Sequence, residues 1–320
     1  MYFKKKETMK TLISIVTPCY NEEENIQELR KQVLEVVSKI QGYEFEHIFI
    51  DNASTDRTQQ ILRQMAKEDN SVKVILNLKN FGHIRSPYYA LLQANGSAVI
   101  QIVSDLQDPP KMIKDFVREW EAGHQIVIGV KKKSEENRLL FAIRCLYYRL
   151  LKKMSETEQI ENFTGFGLYD RSFLDIIRQI TEPYPYLRGL VAEYGVNRLE
   201  IEYVQPRRKK GKTNNNFYTL YDMAMTGFVN HSKVPLRLAS FIGFSVAILS
   251  LMVAIIYFII KLIHWDEFNA GIAPLVIGVF FFSAVQLFFI GIIGEYIGAI
   301  YTQVKRRPLV IEKERINFDK

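Results

Sequence analysis

Leu12-Ile-Ser-Ile-Val-Thr-Pro-Cys-Tyr-Asn-Glu-Glu-Glu24 contains the change of period on which the fold reading turns. Its first six residues form an apolar, β-branched run of strand length. The run closes on polar residues, and beyond it apolar side chains recur at Ile26, Leu29, Val33, Val36, Val37 and Ile40, the spacing of one helix face. The same strand, loop and helix then repeat. Phe45–Ile50 predicts a second strand ending in Asp51, and Asp56–Lys67 a helix with Ile61, Leu62 and Met65 on its apolar side. Val72–Leu76 reads as a third strand, Pro87–Ala94 as helix and Ala98–Val103 as a fourth strand. Lys111–Glu121 is a helix opened by Pro109-Pro110, and Ile126–Val130 is a fifth strand. Such alternation predicts an α/β architecture, a Rossmann-like, mainly parallel sheet of right-handed βαβ units covered on both faces. Ligands of these sheets bind at the carboxyl ends of the strands. Three polar clusters fall there: Tyr20-Asn21-Glu22, Asp51-Asn-Ala-Ser-Thr-Asp56 and Ser104-Asp-Leu-Gln-Asp108.

Past Lys131 the pattern weakens. Arg138–Lys153 reads as a basic, aromatic amphipathic helix, and Asn162–Arg171 as a glycine-hinged loop leading into the helix Ser172–Arg178. Arg207-Arg-Lys-Lys-Gly-Lys212 precedes an aromatic helix, Phe217–Asn230. Two charge-free runs then follow, 23 residues from Leu238 to Ile260 and 24 from Gly271 to Gly294. At ~1.5 Å per residue each is long enough for a hydrocarbon core of ~30 Å. Their connection carries Asp266 and Glu267, whereas Lys233 and Arg237 precede the first run and Lys305-Arg-Arg307 follow the second, so the positive-inside rule puts both ends in the cytoplasm. The expected organisation is a basic arm (1–10), a cytoplasmic catalytic domain (11–215), a juxtamembrane amphipathic helix (216–236), a two-helix transmembrane module (237–304) and a cytoplasmic tail (305–320). Gly294 and Gly298 have the spacing of a helix-association motif, compatible with a homo-oligomer and equally with chance.

The chain of 320 residues has 42 Lys+Arg against 35 Asp+Glu, a net charge of +7. A nucleic-acid binder would spread that charge as a stripe over its globular part. Here it gathers beside the apolar runs, which speaks for a membrane and against nucleic acid. The two cysteines, Cys19 and Cys145, have no partners at metal-ligand spacing and read as reduced thiols. The first apolar run is too short for a secretory core. A phosphate-binding P-loop fails because Pro206 stands where its first glycine belongs, and a dinucleotide fingerprint fails because Gly165-Phe-Gly167 continues to Asp170. Asp105 and Gln107, two residues apart at a strand end, suit a hard cation that keeps waters and bridges a diphosphate. The plain alternative for any one of these aspartates is a helix cap, with Ser54 or Asp56 before Arg57-Thr58 as the candidates.

Pro18-Cys-Tyr-Asn-Glu22, Ile50-Asp-Asn-Ala-Ser-Thr-Asp56-Arg-Thr58, Asn80-Phe-Gly82 and Ser104-Asp-Leu-Gln-Asp-Pro-Pro110 resemble, in order and spacing, the family 2 glycosyltransferases of GT-A fold. The nearest likeness is to the membrane-anchored polyisoprenyl-phosphate glycosyltransferases, and it extends through Tyr147-Tyr-Arg-Leu-Leu151, Leu187-Arg-Gly-Leu190 and the two apolar runs. The resemblance implies transfer of one sugar, with inversion, from a nucleotide sugar, most simply UDP-linked, to a polyisoprenyl phosphate such as undecaprenyl phosphate. The setting it implies is the cytoplasmic face of a bacterial inner (plasma) membrane, with the chain multi-pass. It places Pro18, Tyr20, Glu22, Asp51 and Asp56 at the donor nucleotide and Asp105 and Gln107 at a divalent metal, Mg²⁺ or Mn²⁺. Bringing a donor diphosphate and an acceptor phosphate together calls for cations, for which Arg149, Arg188, Arg207, Arg208 and Lys212 are the candidates, the 207–212 run reading equally as a juxtamembrane positive-inside signal; Arg188, in the matching Leu187-Arg-Gly, and Asp105 are the catalytic candidates.

Two departures stand out. Val103 occupies the first position of the usual Asp-x-Asp, and Thr164-Gly-Phe-Gly-Leu168 lacks the acid and the arginine usual in that loop. A base is dispensable if the acceptor is a phosphate monoester, whose second pKa of ~6 leaves it ionised at neutral pH. The same departures motivate a competing reading, a catalytically silent membrane adaptor. A processive polysaccharide synthase is disfavoured because neither Trp120 nor Trp265 completes a Gln-x-x-Arg-Trp and because only two apolar runs are present.

Overall fold

The computed structural model describes residues 10–132, 160, 162–182, 184–195, 197–206, 234–263, 272–305 and 307–318. The chain divides into two compact units, one carrying the sheet and one carrying two long helices. Arg149, Cys145, the basic helix expected at 138–153, the run containing Arg207, Arg208 and Lys212, and the helix expected at 217–230 lie outside the described residues.

The first unit is an eight-stranded sheet. Its strands are β1 (Thr11–Cys19), β2 (Tyr43–Asp51), β3 (Val72–Asn77), β4 (Ala98–Gln101), β5 (Ile126–Lys131), β6 (Phe163–Asp170), β7 (Arg198–Tyr203) and β8 (Glu312–Ile316), in the order β7-β5-β6-β4-β1-β2-β3-β8. The sheet is mixed. β1 pairs in parallel with β2 and β4, β2 with β3 and β5 with β7, whereas β6 runs antiparallel to β4 and β5 and β8 antiparallel to β3. Alternation along each strand sends side chains to both faces. Val16, Ile48, Ile50 and Ile75 pack on α3 (Gly82–Gln93), α5 (Arg171–Arg178) and α6 (Leu187–Tyr194). Ile13, Ile15, Phe49, Val74 and Leu76 point the other way, onto α1 (Ile26–Val37), α2 (Thr58–Glu68) and α4 (Met112–Glu121). With both faces covered, the central strands read as continuous apolar runs.

Asn162–Arg171, expected as a loop, is instead strand β6, inserted between β4 and β5. Glycine is needed there because neighbouring backbone approaches too closely: a Cβ on Gly167 would stand 2.6 Å from the Val127 carbonyl oxygen. The residues expected as a tail contain β8. Arg63 pairs with Glu314 at 2.7 Å, the Tyr89 hydroxyl donates to Glu312 at 2.9 Å, and the Asn317 amide donates to the Ala66 and Val72 carbonyls.

The second unit consists of α7 (Val234–Ile263) and α8 (Ile272–Val304). Among the described residues one stretch, Gly278–Val304, is long and apolar enough to cross a membrane, and Ala239–Ser250 is a shorter apolar helix. Phe241, Phe244, Phe280, Phe288 and Ile290 are exposed along these helices, so their apolar surface is not consumed by packing within the unit.

Candidate active site

In the sheet order β1 is flanked by β4 on one side and β2 on the other, so the chain direction across the sheet reverses at β1. The crevice outside the carboxyl ends of β1 and β4 is the topological switch point, where such sheets hold ligands. All three acidic loops open onto this edge. Each contains a non-glycine residue in the left-handed region: Asn21 (φ 55°), Ala53 (φ 61°) and Leu106 (φ 59°). Strained backbone of this kind persists only where its surroundings over-determine it, and it concentrates at functional sites.

The loops after β1 and β2 are laced together. Asn21 N–H donates to Ser54 Oγ at 2.8 Å, Glu22 N–H to Thr58 Oγ1 at 2.9 Å, and Thr55 N–H to Asn21 Oδ1 at 2.8 Å. Asp56 accepts from Glu23 N–H and Thr58 N–H, so both its oxygens hold backbone at the entry to α2. Glu22 is buried and accepts from Asn25 Nδ2 at 2.6 Å. Pro18 and Tyr20, at the end of β1, are half-buried.

Asp51 differs from Asp56. It is fully buried; Oδ2 accepts from Ser54 N–H at 3.0 Å and Gln59 Nε2 at 2.8 Å, while Oδ1 has no hydrogen-bond partner among the described residues. A buried carboxylate oxygen left bare costs stability. Behind it lies an asparagine network that the sequence reading missed: Asn52 Oδ1 accepts from Asn77 Nδ2 and Phe81 N–H, and Asn52 Nδ2 donates to Asn80 Oδ1. Asparagines closing two strands and opening the next helix were the available signal.

On the β4 side Asp105 Oδ1 accepts from Gln107 N–H at 3.1 Å, a turn that places both half-buried side chains on one loop. Asp108, also unassigned by the sequence reading, is 1% exposed. The Tyr203 hydroxyl donates to its Oδ1 at 2.8 Å and Val103 N–H to its Oδ2 at 3.3 Å, so Asp108 ties the loop to the end of β7. Burial pushes its carboxyl up to about 6 against the hydrogen bonds from Tyr203 and Val103. Burial likewise raises the Cys19 thiol, an inert packed cysteine. Arg188, in the first turn of α6, donates to the Phe163 carbonyl at 3.1 Å and lies over the Tyr186 ring at 5.1 Å.

Among the described residues no three His, Cys, Asp or Glu side chains come together as a metal cage. With Asp108 occupied by Tyr203 and Val103 in place of an acid, the loop offers one carboxylate, Asp105, and one amide oxygen, Gln107. That donor set fits a hard cation only in company with diphosphate oxygens and water.

A mixed sheet covered on both faces, with acidic loops gathered at its switch point, is the architecture of a GT-A fold. Residues 14–177 match the model of glycosyl transferase family 2. The chain is 33% identical over 307 residues to an uncharacterized glycosyltransferase of Bacillus subtilis, covering 96% of this chain and 94% of the relative. It is also 33% identical over 303 residues to the bactoprenol glucosyl transferase of Shigella phage SfII, covering 94% and 97%. Among solved structures, glucosyl-3-phosphoglycerate synthase from Mycobacterium tuberculosis superposes with a TM-score of 0.48 at 17% identity, over 68% of this chain and 76% of that one. The protein belongs to glycosyl transferase family 2 and is a glycosyltransferase.

Proposed function

We propose that the protein transfers a single hexose, with inversion, from a UDP-linked donor to a polyisoprenyl phosphate at the cytoplasmic face of the membrane. One observation carries the reading. The sheet that gathers Asp51, Asp105 and Gln107 at its switch point is completed by β8, which the chain reaches only after passing through α7 and α8. β7 and β8 belong to one sheet, and a sheet lies on one side of a bilayer, so the chain between them crosses an even number of times. If Gly278–Val304 spans, α7 spans as well, in agreement with Lys233 and Arg237 at the start of α7 and Lys305-Arg-Arg307 after α8. A transfer site on such a tether suits an acceptor confined to the bilayer, and the bactoprenol relatives carry a lipid of that kind in their name.

β2 and β4 are separated by β1 alone, so their ends lie about 10 Å apart at the usual strand spacing. Asp51 then takes an N–H or O–H of the nucleoside at one end of that gap, and Asp105 with Gln107 holds the diphosphate end. A divalent cation bound there would neutralise charge on the leaving diphosphate. Pro18 and Tyr20 flank the nucleoside, while Glu22 and Asp56 shape the loops around it. Gly165 stands where the family commonly carries an acid, so that position supplies no proton acceptor. None is needed, since an ionised phosphate monoester attacks the anomeric carbon unaided. The remaining task is to bring two anions together, which Arg188 serves from α6, with Arg149, Arg207, Arg208 and Lys212, outside the described residues, as the further cations of the sequence.

The test is a donor screen. Membranes containing the protein are incubated with labelled UDP-hexoses, undecaprenyl phosphate and Mg²⁺ or Mn²⁺, then extracted with organic solvent. Label in the organic phase is expected with one preferred donor. Its absence with every donor would favour a silent adaptor.

A further inference from the structure

Gln101 closes β4 in the middle of the sheet, in register with Val16 of β1 and Gly167 of β6. It is 6% exposed, and its Oε1 is one of four buried side-chain atoms without a hydrogen-bond partner among the described residues. A glutamine in that condition either wastes a desolvated acceptor or awaits a donor. Its amide reaches across to β6, where Gly165 (φ 98°) is fixed by the Tyr169 hydroxyl donating to its carbonyl at 2.7 Å. A Cβ on Gly165 would stand 2.9 Å from Gln101 Nε2 and 3.9 Å from Leu187 Cδ2. The backbone angle favours glycine, and a side chain there would displace the Gln101 amide from the space it fills.

Position gives that amide its meaning, on the proposed function as premise. Asp105, four residues beyond Gln101, belongs to the diphosphate end. Arg188 belongs to the acceptor end; it bonds the carbonyl of Phe163, two residues before Gly165, and its neighbour Leu187 lines the Gly165 site. The hexose must lie between the phosphate it leaves and the phosphate it joins. We infer that Gln101 is a specificity-determining residue: its amide hydrogen-bonds a ring hydroxyl of the transferred hexose, and Gly165 is glycine to leave that amide its place. A site built around a hydroxyl contact rejects the epimer that misplaces it, because the buried amide is then left unpaired.

The test compares full-length wild type with Gln101→Met, which keeps the length and removes both polar atoms, and Gln101→Glu, which keeps the shape and adds charge. Each is assayed with UDP-glucose and its single-hydroxyl epimers, with UDP binding and thermal midpoint measured in parallel. In Gln101→Met, kcat/KM for the preferred donor is expected to fall about 10-fold, the yield of one neutral hydrogen bond, and the preference over one epimer to narrow by the same factor. UDP affinity and the midpoint stay as in wild type. Gln101→Glu is expected to change the ranking of donors. Unchanged donor ratios in both active variants would overturn the inference, and so would an equal loss on all donors accompanied by a lowered midpoint, which marks a structural amide. A wild type inactive on every donor would overturn the proposed function and the inference together.

Discussion

Replacing Asp51 by asparagine separates a binding carboxylate from a structural one. Oδ2 already serves Ser54 N–H and Gln59 Nε2, and the fully buried Oδ1 accepts from none of the described residues. An asparagine that keeps its oxygen toward Ser54 turns an N–H₂ toward the place of Oδ1, so a donor on the nucleoside meets another donor. The loss is one charge-assisted hydrogen bond in a buried site, about 1.5–3 kcal/mol, or roughly 10- to 150-fold in UDP affinity. Stability should respond differently. The substitution removes a buried charge with one unsatisfied oxygen and weakens only the contact to Gln59, so the midpoint should stay within about 2 °C or rise, a ΔΔG below about 0.5 kcal/mol. Calorimetric titration of UDP into detergent-solubilised protein, paired with thermal melts, reads both quantities. UDP affinity unchanged within twofold, with a lowered midpoint, would refute the reasoning and make Asp51 a loop brace like Asp56.

Further outcomes follow from the same geometry. Asp105→Ala should abolish transfer with the protein still in the membrane fraction; wild-type turnover would remove Asp105 from the diphosphate site. Tyr203→Phe deletes only the hydroxyl that holds Asp108, and should lower kcat by about 10-fold through a loosened Asp105 loop, the equivalent of about 1.4 kcal/mol; a rise in KM for the lipid with kcat intact would contradict this. His47 is fully buried between Thr17 and the Arg30 guanidinium, and burial followed by Arg30 holds its imidazole well below the ordinary value. Below pH ~6.5 the unfolded chain therefore binds a proton the folded one refuses, and stability falls by up to ~1.4 kcal/mol per pH unit. Melts between pH 7.5 and 5.5 should show that slope reduced in His47→Gln, and an equal slope would exclude His47 as its source.

Much of the sheet was legible because β1 to β5 are short apolar runs between amphipathic helices, a pattern set by burial on both faces. The other three strands carry weaker patterns for physical reasons. In β6, Gly165 and Gly167 suppress strand propensity locally, and only the tight approach of β4 and β5 makes glycine the right residue. β7 and β8 lie at the edges of the sheet. Glu312-Lys-Glu-Arg-Ile316 shows the charged pattern that keeps an edge from pairing with other chains, which on paper looks like a solvated tail. For the site, residues that carry a motif were visible, whereas those defined by what their neighbours leave unsatisfied were not. Asp51 and Asp56 look alike in the sequence, and only their hydrogen bonds part them. Gln101 and Asp108 gain their roles from β6 and β7, more than 60 residues away along the chain.

In the proposed reaction a lipid phosphate, already ionised, is the nucleophile, with no acid at Gly165 to deprotonate it. That role is tested most directly by offering the purified protein undecaprenyl phosphate and, in parallel, undecaprenol, with the preferred labelled donor across pH 5 to 8. The account predicts label on the phosphate lipid alone, with a rate that rises through pH ~6 as the phosphate ionises. Comparable transfer to the alcohol would contradict it.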